Sequence, residues 1–255
     1  APHYHIELAD DWQWKTTGLT LPELKVKTDQ CTLVNLNDAQ LTWWNTRSLD
    51  IEKASLNYDC LTHLPSDNAE KTSPNLTALW AALPISDVKV KHVQLTNTNA
   101  LKQAALQPFL SADWALDANY NGNQLAFEAQ ANNDGLELHH QSTVTPRDGI
   151  FQWTGNTDIK QAGDKNYDLQ FTANFEPDLS QLPQQGNVLF NWNNPELAVT
   201  KGEAKVSWQG ADGQLNVQDL TENSPLLDVP FVFTKDGLDI SWGKFYWTFD
   251  SYQPI

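Results

Sequence analysis

The chain has 255 residues, 32 acidic against 16 basic, and a formal charge of −16. That length supports one large β unit or two smaller ones. The charge argues against nucleic acid and against an anionic membrane held by a basic patch. The acidic residues stand singly rather than in runs, which reads as a solubilising surface, with a cation-binding role as the minor alternative.

Residues 1–64 read as a meander of short strands: Tyr4 to Leu8, Leu24 to Lys27, Cys31 to Leu36, Gln40 to Trp44, Ser48 to Glu52 and Ala54 to Cys60. Turns are expected at Asn37-Asp38 and Asn45-Thr46. Cys31 and Cys60 are the two cysteines of the chain. Without CxxC or histidine ligand spacing they read first as a disulfide formed in an oxidising compartment, and otherwise as two buried thiols. Pro65 to Ser73 is polar and loop-like. The period then changes: Ser73-Pro74 offers a cap with proline at the first helical position, and Leu76, Leu79, Trp80 and Leu83 share a helical face. The spacing predicts a helix over 74–84, ended by Pro84, of a length to cap the end of an open sheet. Val88 to Leu95 reads as a strand, and Ala100 to Leu106 fits either a helical turn or a loop.

From Ser111 to Phe249 a large apolar side chain falls on every second residue, between polar turns. Strand side chains point to opposite faces in turn, so each stretch is apolar on one face and polar on the other. The apolar positions are Trp114, Leu116, Leu125, Phe127, Leu136, Leu138, Trp153, Leu169, Phe171, Phe190, Trp192, Val206, Trp208, Leu215, Val217, Phe231, Phe233, Leu238, Ile240, Trp242 and Trp247. Hairpin turns are expected at Asn121-Gly122-Asn123, Asn133-Asp134-Gly135, Arg147-Asp148-Gly149, Gly163-Asp164, Ala211-Asp212-Gly213 and Lys235-Asp236-Gly237. The fold class is all-β with one short helix: a long one-sided antiparallel β-sheet over 88–255, continuing the meander of 1–64. Its apolar side is either packed as a sandwich core or left as an open groove. Small inward partners, Ala112, Ala118, Ala129, Ala131, Ala173 and Ala204, favour a curled sheet with room for a chain-like apolar guest.

No GxSxG elbow, phosphate loop, GxGxxG or HExxH helix is present. His139 and His140 are adjacent in a strand and point to opposite faces; His3 and His5 share a face but lack a third ligand, so no metal is expected. No carboxylate pair stands out as a glycosidase couple. Sugar stacking by the tryptophans is the rival use, but Trp114, Trp153, Trp192, Trp208, Trp242 and Trp247 share a register with aliphatic neighbours. The reading is a non-enzyme without cofactor. No apolar run is long enough to span a bilayer. The absence of Met and the alternation still running near Ile255 lead to the expectation of a fragment, its leader or anchor lying upstream.

Gly18-Leu-Thr-Leu-Pro-Glu-Leu24, Asp29-Gln-Cys-Thr-Leu33, Tyr58-Asp-Cys-Leu-Thr-His-Leu-Pro65, Leu76-Thr-Ala-Leu-Trp-Ala-Ala-Leu-Pro84, and Leu226-Leu-Asp-Val-Pro-Phe231 followed by Gly237-Leu-Asp-Ile-Ser-Trp242, resemble the N-terminal part of the YdbH family in order and spacing. That family belongs to the AsmA-like bridge-like lipid transfer proteins. The resemblance implies a periplasmic protein anchored in the inner membrane by an N-terminal helix outside this chain. It implies a curled sheet forming an open hydrophobic groove, a β-taco, that carries phospholipid acyl chains to the outer membrane. It also implies the remainder of a longer chain, with a small outer-membrane lipoprotein as partner at its far end. On this reading residues 1–255 are a single N-terminal groove segment and the inward residues above are its lining. The alternative is a periplasmic carbohydrate-binding or scaffolding β-domain with a filled core.

Overall fold

A computed structural model describes residues 5–45, 47–62, 77, 80, 85–96, 107–176, 184–234, 237–240 and 244–245, with 61–62, 234, 237–240 and 244–245 described by backbone alone. Two compact units divide the chain, Ala1–Gln141 and Ser142–Ile255.

The first unit contains β1 (His5–Leu8), β2 (Gln13–Lys15), β3 (Gly18–Lys27), β4 (Thr32–Thr42), β5 (Ser48–Asn57), α1 (Tyr58–Thr62), β6 (Asp87–Thr96), α2 (Gln107–Leu110), β7 (Asp113–Tyr120) and β8 (Leu125–Asn133). Strand β9 (Leu136–Arg147) crosses the boundary between the units. Both β1 and β2 pair along β3, and β3 to β8 then follow in chain order. The sheet of this unit is mixed. One pairing departs from the antiparallel expectation: β5 and β6 run parallel. The segment between them is long enough to return the chain to the same end of the sheet, which a tight hairpin cannot do.

The second unit contains β10 (Ile150–Gln161), β11 (Lys165–Phe175), β12 (Gln185–Asn193), β13 (Lys201–Gln209), β14 (Asp212–Asp219), β15 (Ser224–Thr234), β16 (Gly237–Ile240) and β17 (Lys244–Phe245). Among the described residues all its pairings are antiparallel, in chain order, with β16 and β17 both along β15. The β10–β11 hairpin closes through a three-residue loop, Ala162, Gly163 and Asp164, the last two at positive φ (81° and 59°), backbone that glycine and aspartate adopt more readily than most residues. The turn expected at Ala211-Asp212-Gly213 falls earlier. Gly210 takes the positive φ of 61°, while Asp212 and Gly213 already pair with β13 and β15.

The meander before residue 64 is built from fewer, longer strands than its turn residues imply. Asn37-Asp38 is not a turn: β4 runs through it, and Asp38, at φ 51°, is skipped by the pairing on both sides. Matching residues are skipped at the same level in the neighbours: Pro22 in β3, Glu52 in β5 and Lys91 in β6. These residues form an aligned row of bulge-like irregularities, one per strand and opposite one another so that register is kept, each shifting its strand's side-chain alternation by one. The row stops at β7, where Trp114 and Leu116 are two apart opposite Val93 and Val90. The strand expected over Ala54 to Cys60 ends at Asn57 and turns into α1, whose Cys60 is disulfide-bonded to Cys31. The expected helix 74–84 lies mostly outside the described residues. Of it, Thr77 and Trp80 are helical, and the Trp80 indole N–H donates to the Gly122 carbonyl at 2.9 Å. His3, Pro65 to Ser73, Ala100 to Leu106, Asp236, Trp242 and Trp247 also lie outside them.

Candidate functional site

Residues directly opposite each other in paired strands share a face of the sheet. In the first unit the registers carry a row from Leu19 through Leu41, Leu49, Val88 and Ala118 to Phe127. A second row runs from Leu21 through Ala39, Ile51, Val90 and Leu116 to Ala129. Beyond the bulges a third joins Leu24, Leu36, Ala54, Val93, Trp114 and Ala131. Leu21, Ala39, Ile51 and Val90 are buried at the centre of this face, with Leu19, Leu24, Leu36 and Leu49 packed around them. The bulges are what keep it apolar, since without the extra residue the alternation past Leu21 would turn Leu24 to the polar side.

In the second unit the rows are as regular. Trp153 faces Ala173, Gly186 and Trp208; Gly155 faces Phe171, Val188, Val206 and Leu215; Thr157 faces Leu169, Phe190, Ala204 and Val217; Ile159 faces Tyr167, Trp192 and Gly202. Phe231 and Val229 continue the rows opposite Gly213 and Leu215. The opposite face carries Asn156, Asp158, Asp168, Gln170, Asn191, Glu203 and Lys205.

Four glycines on this apolar face are each covered by an aromatic ring from the adjacent strand: Gly155 by Phe171, Gly186 by Trp208, Gly202 by Trp192 and Gly213 by Phe231. A methyl group on any of the four would lie closer than 3.0 Å to the ring. With no side chain beneath them, these rings lie down on the sheet instead of standing out from it. The result is a paved surface with little relief. Trp192 is fixed further by its indole N–H, which donates to the Val199 carbonyl at 2.9 Å, and Trp114 likewise donates to Phe109 at 3.0 Å. Their polar atoms are thus satisfied at the strand ends, leaving ring carbon on the face. Trp153 remains 39% exposed beside Phe171, edge to face at 5.1 Å.

Of the sequence-derived lining residues, those described with side chains fall on these apolar faces, with Leu136 and Leu138 in the β9 register of His140, whose ring lies 5.9 Å from Phe127. Leu238 and Ile240 are placed by backbone pairing opposite Phe233 and Phe231. The apolar face of β3 to β6 was missed, although leucines and valines stepping by three at Leu21/Leu24 and Val90/Val93 were its signal.

The polar face is knit by the ion pairs of Lys91 with Glu52 at 2.6 Å and Lys25 with Glu23 at 2.7 Å, and by a hydrogen bond between His139 and Glu128 at 2.9 Å. Those hydrogen bonds hold the carboxyls of Glu52, Glu23 and Glu128 below the ordinary value. His139 and His140 do point apart, and burial on the apolar side pushes the His140 imidazole down. Among the described residues no cluster of three His, Cys, Asp or Glu side chains could hold a metal ion. No described helix is long and apolar enough to cross a membrane.

A sequence model of the YdbH-like family, described as intermembrane phospholipid transport protein YdbH, matches residues 2–255. The chain is 25% identical over 233 residues to the protein of Escherichia coli (strain K12) named probable phospholipid transport protein YdbH, a match covering 91% of this chain and 24% of that protein. The chain therefore spans about a quarter of the length of this curated relative. No solved structure matches it.

Proposed function

The chain belongs to the YdbH-like family, and from that premise we propose that it is one segment of a bridge-like protein that carries phospholipid between the inner and outer membranes, acyl chains against its apolar sheet face. An intermembrane transport family acts in the cell envelope. The finer reading is a periplasmic location, an inner-membrane anchor N-terminal to this segment, further groove contributed by the rest of the polypeptide, and a small outer-membrane lipoprotein at the far end. Residues 1–255 are one such groove segment, and the apolar positions from Trp114 to Trp247 named above, together with the leucines and valines of β3 to β6, are its lining.

The observation that carries this reading is that within each unit register keeps one face apolar, from β3 to β8 in the first and from β10 to β15 in the second. Each CH₂ withdrawn from water onto such a face gains about 0.8 kcal/mol, so a tail is held firmly while its head group stays wet. Because successive strands offer equivalent patches, moving along the face exchanges one set of contacts for another at little cost. Leu169→Asp and Phe171→Asp place a carboxylate in the path without touching the polar face, and each should abolish transport in a deletion strain while the protein still accumulates. Complementation at the wild-type level by both charged variants would refute the proposal.

A further inference from the structure

The apolar face of the first unit becomes exposed at the outermost strands of its sheet. Ile6 pairs with Val26, Leu8 with Leu24 and Trp14 with Leu19, so all three lie on the same face as the packed leucines. Ile6 and Trp14 are nevertheless 68% exposed, Leu8 46%, Trp12 46% and Trp44 66%. Among the described residues of this unit, every large apolar side chain that is exposed belongs to this edge. The Trp43 ring sits 4.8 Å from Trp14, and Trp43 donates through its backbone and indole N–H to the Thr17 and Thr16 carbonyls. Those bonds fix the loop bearing Trp44 beside the β2–β3 turn.

We propose that this edge, centred on Trp14 and Trp44, docks into the head-group layer of a phospholipid bilayer and is where an acyl chain passes between bilayer and sheet. The inference rests on the transport reading and adds the partner. Three features select a bilayer. Tryptophan, an apolar ring with one polar N–H, suits the boundary between hydrocarbon and water. The exposed residues continue the register of the acyl-chain face, so a tail leaving the membrane meets apolar surface without a polar break. The local charge is small: Glu7 is paired with Lys27, Asp10 and Asp11 are matched in number by Lys15 and Arg47, and Asp29 is hydrogen-bonded with His5. The net charge of −16 therefore does not act at this edge, because carboxylates beyond about 8 Å are screened. A second copy is the poorer fit. The edge is broken into strands of 4 and 3 residues around the Asp10-Asp11 turn, a weak template for strand addition.

The test places a photoreactive amino acid at Trp14, Trp44 or Leu169 of the full-length protein in cells and identifies the adducts. Phospholipid adducts at Trp14 and Trp44 are expected. Lipid at Leu169 with only polypeptide adducts at the two tryptophans overturns this inference and leaves the transport reading standing. Lipid at the tryptophans with none at Leu169 keeps the bilayer contact but overturns the acyl-chain passage, and the transport reading with it. As a second measurement, the purified chain should float with phosphatidylcholine vesicles and with vesicles containing phosphatidylglycerol to within about twofold, at salt from about 50 to 500 mM. The double variant Trp14→Ser, Trp44→Ser should lose about tenfold in binding, since both side chains are exposed and their loss leaves the core intact. Binding that appears only with anionic lipid and falls with salt would overturn the proposal.

Discussion

Replacing Gly202 by alanine tests the paved face directly. Gly202 lies in the strand interior of β13, opposite Trp192, in backbone that alanine also adopts. Its new methyl would sit closer than 3.0 Å to three ring atoms of Trp192, so the indole must lift off the sheet. Lifting costs about 1 to 3 kcal/mol of overpacking strain. It also disturbs the 2.9 Å bond from the indole N–H to Val199, worth about 0.5 to 1.5 kcal/mol, and the stack of Trp192 on Phe190. Restricting the unfolded chain returns about 0.4 to 1 kcal/mol, leaving a net loss of roughly 1 to 3 kcal/mol. Urea unfolding followed by far-ultraviolet circular dichroism measures it. The same change in a Trp192→Ala background should be neutral or stabilising, giving a coupling of about 2 kcal/mol in the double-mutant cycle. An equal loss in both backgrounds would mean that the ring does not lie over the glycine, and the reasoning fails.

Removing the Cys31–Cys60 bridge by the double serine variant opens a loop of sequence separation 29 and should cost about 3 to 4 kcal/mol on the chain-entropy model, read as a fall in Tm under oxidising conditions; reductant should lower the wild type to the same point. Glu128, held below 4.5 chiefly by its hydrogen bond from His139 and next by Gln130, contributes stability that is present above that value and lost as pH falls through its folded-state pKa. Glu128→Gln should therefore lower Tm at neutral pH and converge with the wild type in acid. His140, pushed below 6.5 mainly by burial, favours folding while neutral, so the wild type should lose stability as pH drops below 6.5. His140→Phe should flatten that slope in thermal melts between pH 7 and about 5.

The second unit was legible because its strands obey a strict period of two. Tyr167, Leu169 and Phe171 alternate with Asp168 and Gln170, and the turn residues between strands carry their own backbone signature, as at Gly163-Asp164. The first unit was less so for three physical reasons. Each bulge inserts a residue that breaks the period, so Asp38 read as a turn although its strand continues across it. The parallel pairing of β5 with β6 is set by where a long connection returns, which local periodicity does not encode. The exposure of Ile6 and Trp14 depends on their sitting in edge strands, a position that no property of those residues announces. The glycine–aromatic pairs escaped for a fourth reason: Gly186, Gly202 and Gly213 look like weak points in a strand until register shows which ring lies over each.

Native mass spectrometry of the purified chain, released gently from detergent, asks most directly whether the apolar face holds acyl chains. A population carrying co-purified phospholipid, displaced in the Leu169→Asp variant, is the expected spectrum. A chain that is free of lipid at every release energy, yet is retained on polysaccharide, would contradict the account.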